Sequence, residues 1–449
     1  HNYLKVKPKE IAFYLQDKIE LDEIIINAGI RFDYFDPNWK IPKDSRMPEN
    51  RKYFLANSEN DTIVFWEHDV DQISENINII DSLNLQGAVN IENLFSAQNS
   101  NAAPMEIFNS QIDSIRNDYR WSYGYKKANT SFQLSPRIGI AYPITDRGVI
   151  HVSYGHFFQI PQFSFLYDNP EFEITNSNNG GILGNANLRP EKTIMYEVGV
   201  KQEIARLTSI DVTLFYRDTR DWVGISPTIK KYPVGNYRKY QNMDYANTRG
   251  FTIMLERRYQ NNFGLNIDYS WMLAEGTYSN PTDAYFDALN DQSPRLAMVP
   301  LNWDQTHTLN MRLTFGGNNW ITSIIGNYWS GKPYTPEFKT GSVSGSSAFA
   351  GFAENSSRKP NIISFDMRTS YDLKLLGFRS NIFINIYNIF DIRNEVNVWN
   401  DTGRATYTLS ANDVSLTNPE RIGNLNEHLL KPEWYSEPRK IDIGLNISF

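Results

Sequence analysis

The sequence predicts an all-β fold: an antiparallel up-and-down barrel that crosses a membrane. Three observations predict it. Apolar and polar residues alternate with period two, the alternating segments are long, and the links between them are short and long in turn. A strand points successive side chains to opposite faces, so strict alternation makes one face apolar and the other polar. The closing RKIDIGLNISF shows it: Ile441, Ile443, Leu445, Ile447 and Phe449 share a parity, with Asp442, Gly444, Asn446 and Ser448 between them.

About thirteen such segments follow in order, near residues 11–21, 23–35, 130–142, 147–158, 191–204, 207–219, 245–259, 262–275, 303–316, 319–330, 361–374, 377–390 and 438–449. In the fifth, Ile194, Tyr196, Val198 and Val200 alternate with Thr193, Glu197, Gly199 and Lys201. In the sixth, Ile210, Val212, Leu214 and Tyr216 alternate with Asp211, Thr213 and Arg217. No helical period competes. These segments exceed the usual strand of soluble sheets and match the ~9–11 residues that a tilted strand needs to cross a bilayer.

The links decide between membrane and soluble sheet. Short ones fall at Leu21–Glu23, Pro143–Arg147, Ala205–Leu207, Gln260–Asn262, Gly316–Asn318 and Lys374–Gly377. Long ones lie near 36–129, 159–190, 220–244, 276–302, 331–360 and 391–437. In a meander this rhythm puts every tight turn at one end and every long loop at the other. Outer-membrane barrels have that asymmetry, with periplasmic turns and extracellular loops.

Composition agrees. Mean hydropathy is −0.49 and no apolar run approaches the ~18 residues of a membrane helix. Tyr, Phe and Trp number 26, 26 and 10, which suits aromatic girdles at two membrane interfaces and equally an aromatic-rich soluble β-protein or lectin. The net charge of −7 and the lack of a basic cluster give no support for nucleic-acid binding. With no cysteine, disulfides and thiolate metal sites are excluded. The chain starts at His1 without a signal peptide, and the expectation is a processed protein or a piece of one. Counting back from a last strand that descends to the periplasm, the first strand descends too. An odd count of this kind does not close on itself, so either the count is off by one or the chain is the C-terminal part of a larger barrel.

Several stretches carry a resemblance to TonB-dependent outer-membrane receptors. NLRPEKTIMYEVGVKQ (187–202), SPRIGIAYPITDRGVIHVSYGHFFQIPQF (135–163), INIYNIFDIRN (384–394), TGR (402–404) and the closing PRKIDIGLNISF resemble that family's motifs in order, over roughly two thirds of the chain. The richness in Asn, Tyr and Ile looks like receptors of Bacteroidota-type bacteria. The resemblance implies a 22-stranded barrel filled by an N-terminal plug. These thirteen strands would be its last thirteen, with the plug, the TonB-contacting box and the first strands outside this chain. It implies active nutrient import, of siderophore, glycan or peptide class, across the bacterial outer membrane. The expected partners are membrane lipid, the plug and N-terminal barrel portion, the TonB complex acting through the plug, and a surface lipoprotein lid as in SusC/SusD-like pairs.

Two other readings stand beside it: a passive porin or structural barrel, and a soluble β-rich glycan-binding module. No HExxH, GxSxG or phosphate loop occurs, so no enzyme and no cofactor is expected. Candidate lumen- or plug-facing charges are Arg31, Asp33, Arg137, Glu197, Lys201, Asp211, Arg217, Glu256, Asp268, Arg312, Asp366, Arg368 and Arg379. They either line a substrate path or pair with one another across strands. Trp39, Trp66, Trp121, Trp222 and Trp399 are candidate ligand-stacking residues in the loops, whereas Trp271, Trp303, Trp320 and Trp329 read as girdle. Glu67, His68, Asp69 and Asp71 offer oxygen and nitrogen ligands for a metal, or are simply a charged, solvated loop. Phe449 resembles the C-terminal aromatic by which barrel assembly recognises its substrates.

Overall fold

A computed structural model describes residues 6–21, 23–46, 48, 52–56, 62–66, 124–170, 172, 174, 181–231, 235–278, 298–336, 354–375, 378–409 and 431–448; the side chains of 52–56, 62–66, 375 and 448 lie outside that description. Thirteen strands form the wall. They are β1 (Lys9–Glu20), β2 (Ile25–Asp36), β3 (Ser131–Thr145), β4 (Gly148–Gln159), β5 (Glu191–Ala205), β6 (Thr208–Ile225), β7 (Asn236–Gln260), β8 (Phe263–Gly276), β9 (His307–Gly316), β10 (Trp320–Trp329), β11 (Ile362–Leu375), β12 (Phe378–Tyr387) and β13 (Lys440–Ser448). Each pairs antiparallel with its neighbours in chain order, a simple meander in one sheet. Among the described residues, β1 and β13 are paired on one side only. No described helix is long and apolar enough to cross a membrane; the crossing elements are strands.

Register assigns every side chain to one of two faces. Across one face runs an unbroken apolar row: Ile140 opposes Val152, then Val198, Leu214, Phe251 and Trp271 follow strand by strand. Its residues are exposed to an extent no water-facing sheet tolerates, with Leu214 at 54% and Ile443 at 71%. This face meets lipid.

Aromatics bound it at two heights. Phe32, Tyr196, Tyr216, Phe251, Trp271, Tyr328 and Phe365 stand about seven to ten residues from the turn end of their strands. Tyr259, Phe263, Phe315, Trp320 and Phe378 stand at or next to that end. Roughly eight residues at ~3.3 Å, tilted ~40°, separate the rows by about 20 Å, close to the ~25 Å apolar band of outer-membrane barrels. Trp271 and Trp320 belong to these rows. Trp329 does not: register turns it to the polar face, where its Nε1 donates to Asn310 at 3.2 Å. Trp303 lies before β9 rather than in a strand and packs edge-on to Trp222, with ring centroids 5.7 Å apart.

Three other boundaries differ from the sequence reading. The link expected over 220–244 is largely sheet, because β6 and β7 continue pairing past a bulge at Asp221, whose φ is 58°. β9 begins at His307 because Leu301–Asp304 form a turn, Asp304 N to Leu301 O at 2.7 Å. β12 ends at Tyr387 because Asn388 adopts a φ of 51°. The turns follow expectation: Leu207, Asn261 and Asn262 have positive φ at two-residue hairpin links.

The deepest apolar side chains gather toward the loop end, where the loop-end stretches of β2, β6 and β7 meet the loops. Leu166, 1% exposed, is carried by a five-residue helix α1 (Phe163–Tyr167) and packs with Phe35, Leu188, Val223, Ile225 and Tyr240.

Candidate ligand-facing loops and polar face

The sequence singled out thirteen charged residues for the lumen. Following register from strand to strand places all thirteen on one face, opposite the apolar row. Gly29 opposes Arg137, which opposes Gly155; two positions along, Ser153 opposes Glu197. Lys201 opposes Asp211, Ser209 opposes Glu256, and Met254 opposes Asp268. Asn266 opposes Arg312, Ile325 lies between Arg312 and Asp366, and Arg368 opposes Asn385 on the strand that carries Arg379.

Within this face the charges are only partly paired. Arg31 Nε donates to Asp33 at 2.8 Å, and that carboxylate is buried. Ser153 donates to Glu197 at 3.1 Å and Thr213 to Asp211 at 3.0 Å. The Asn388 backbone donates to Asp366 at 2.8 Å. Arg137 lies 4.4 Å over the Phe157 ring and Arg217 5.2 Å over Phe215. Arg312, Arg368 and Arg379 have no ion-pair or hydrogen-bond partner among the described residues, and Arg379 opposes Lys374 directly. Arg379 and Lys374 border a polar recess of about 590 Å³ at the turn end, with Asn318, Asn381 and Asn446.

The loop tryptophans are not gathered into one site. Trp39 packs edge-on to Tyr167 at 6.4 Å and borders a recess of about 280 Å³ with Lys40, Tyr125 and Lys126. Its Nε1 is buried and finds no hydrogen-bond acceptor among the described residues. Trp222 packs on Ala246, Ala274 and Leu301, and Trp399 packs on Trp434 at 4.7 Å. Trp121, Glu67, His68, Asp69, Asp71 and Phe449, and the side chain of Trp66, lie outside the described residues.

Sequence reasoning missed the clasps that hold the loops. Tyr167 donates to the Pro37 carbonyl at 2.7 Å; burial, reinforced by Asp36, pushes its hydroxyl up to about 12. Asp304, 1% exposed, accepts from Ala274 N at 2.9 Å and binds Arg358. Glu395 accepts Arg404 Nε and Nη2 and the Ala405 N–H; the guanidinium beside it holds its carboxyl below the usual range.

The quoted motifs are clasps of the same kind. In NLRPE, Asn187 accepts Asn129 N at 2.7 Å, Arg189 Nη2 reaches Asp221 at 2.5 Å, and Arg189 N donates to Asn242 at 2.8 Å. In YNIFD, the Asn388 amide donates to the Ile392 and Glu437 carbonyls, both at 3.0 Å, and Asp391 accepts Arg439 N. The signal was present as Asn and Asp at tight bends, which tolerate positive φ and bond locally.

A lipid-facing apolar band, an opposite charged face, tight turns at one end and clasped loops at the other define the wall of an outer-membrane β-barrel. The family described as "TonB dependent receptor-like, beta-barrel" matches residues 2–389, and the chain belongs to it. Comparison with curated proteins gives no match. Among solved structures the chain is similar to FpvA of P. aeruginosa bound to a pyoverdine–iron complex (TM-score 0.50, 10% identity, 99% of this chain and 39% of that one). It is also similar to the ferric-catecholate import receptor Fiu of K12 E. coli (0.45, 14%, 88% and 42%) and the FrpB iron transporter of Neisseria meningitidis (0.47, 11%, 87% and 42%). The chain thus spans about two fifths of the length of these structures. Receptors of this family are outer-membrane transporters, not enzymes.

Proposed function

We propose that this chain forms wall and loops of a receptor that actively imports a nutrient across the bacterial outer membrane, with an N-terminal barrel portion and plug completing it. The observation that carries this is the polar face. It holds Arg312, Arg368 and Arg379 without ion-pair or hydrogen-bond partners among the described residues, as a lumen built around further protein or a ligand would. Among the described residues β1 and β13 each pair on one side only, which leaves both edges open to strands of the proposed N-terminal portion. TonB would act through the plug, since the family is TonB-dependent. A metal chelate is the first ligand class to test, because FpvA is bound to one; oligosaccharides and peptides are the next.

The experiment is uptake of radiolabelled iron chelates, oligosaccharides and peptides by cells with and without the full-length gene, each with and without a protonophore. Active import predicts one class whose uptake needs both the gene and the proton-motive force. Gene-dependent uptake that ignores the protonophore would make the protein a passive pore.

A further inference from the structure

Around Arg137 the polar face is stripped of side chains. Gly29 on β2 and Gly155 on β4 stand in direct register on either side of it. Along β3 itself, its neighbours on the same face are Gly139 and Ser135. The wall therefore opens into a recess of about 490 Å³, lined by Arg137, Ser135 and these glycines. A methyl group added at Gly139 would meet nothing within 4 Å. One added at Gly155 would come within 3.0 Å of the Phe157 ring, the ring that Arg137 lies over at 4.4 Å. Gly155 thus leaves room for the ring that steadies the guanidinium.

Two polar groups in this recess lack partners. Ser135 is 1% exposed, and its buried hydroxyl finds no hydrogen-bond partner among the described residues. Buried hydroxyls left this way cost stability until something bonds them. Arg137 has no ion-pair or hydrogen-bond partner among the described residues, because stacking on Phe157 leaves its N–H groups unused. Arg31, the second cation lining the recess, is already bound to Asp33. Among the described residues no carboxylate lines the recess. A planar guanidinium beside a hydroxyl donor matches a carboxylate, which accepts from both. The volume falls within the ~300–1,000 Å³ of small-molecule sites and far exceeds what one acidic side chain would fill.

We propose that this recess binds the carboxylate of a small organic acid inside the receptor, with Arg137 and Ser135 as its donors and the body of the acid lying over the glycines. The inference rests on the import reading and names a chemistry for what is carried.

The test is fluorine NMR of N-acetyl-para-fluorophenylalanine added to the purified full-length receptor in detergent micelles. The comparison ligand is the neutral amide of the same compound. The expected result is a fluorine line broadened by wild-type receptor, with affinity about tenfold weaker for the amide and about tenfold weaker in R137Q and in G139V, whose side chain fills the open space. Three results would each overturn it: equal binding of acid and amide, undiminished binding by G139V, or no broadening by wild type, as when a plug carboxylate already holds Arg137. The wild-type arms need no variant, so one that fails to assemble leaves the proposal testable. Binding is read without an energy source. Its failure therefore leaves active import standing, and failure of protonophore-sensitive uptake leaves the binding result standing.

Discussion

Arg358 Nη2 lies 2.5 Å from Asp304 Oδ2, and its Nη1 donates to the Asp304 carbonyl at 3.2 Å. One guanidinium thereby ties the segment around 358 to the turn before β9. Asp304 is buried and Arg358 partly exposed, so the two ends of the pair are unequal. Removing the arginine strands a buried carboxylate. Arg358→Ala is expected to destabilise these loops by about 3 kcal/mol. Asp304→Asn, which keeps an acceptor for Ala274 N, should cost less. Hydrogen exchange at 298–306 and 354–361 reads both, and equal protection in wild type and Arg358→Ala would refute the assignment.

Val212 lies midway between the two aromatic rows on the lipid-facing side, between Val200 and Ile253. Val212→Arg places a charge near the bilayer midplane and is expected to lower folding stability by about 2–4 kcal/mol in lipid. Thr252→Arg, on the polar face, should be tolerated better. Denaturant titration of the receptor refolded into lipid vesicles gives both values. If the two variants behave alike, the face assignment is wrong.

Glu395 titrates below its ordinary range, chiefly through its hydrogen bond from Arg404. The sign follows. A carboxylate depressed in the folded state contributes stability above its unfolded pKa and loses it as pH falls through the folded value. The segment 394–405 should therefore stay protected at neutral pH and open in acid, below about pH 4.5. Proteolysis of intact receptor with an acid-active protease across that range checks this. Glu395→Gln should open the segment at neutral pH and flatten the profile.

Period two and link rhythm were enough to place thirteen strands, since a lipid-facing sheet writes both into its sequence. The charged residues were legible for the same reason: parity alone assigns Arg31 and Arg379 to one face. What parity could not supply was pairing. Whether Arg312 meets an acid depends on register between strands far apart in sequence, and it meets none among the described residues. The loops were least legible. Their order comes from single side chains such as Tyr167 and Asn388 bonding to distant backbone, which no periodicity announces. The bulge at Asp221 hid nine further residues of β7 behind what read as a loop. Trp329 was misassigned because proximity to a strand end was taken in place of its odd position.

The most direct test of the central claim, that one face of this wall meets lipid and the other does not, is a nitroxide scan along β6. The chain has no cysteine, so single substitutions from Ile210 to Tyr216 label cleanly within it. In the full-length receptor reconstituted in bilayers, relaxation by oxygen should peak at Ile210, Val212, Leu214 and Tyr216. Relaxation by a water-soluble nickel reagent should not rise at those positions. Oxygen maxima at Asp211, Thr213 and Phe215, or no alternation at all, would contradict the account.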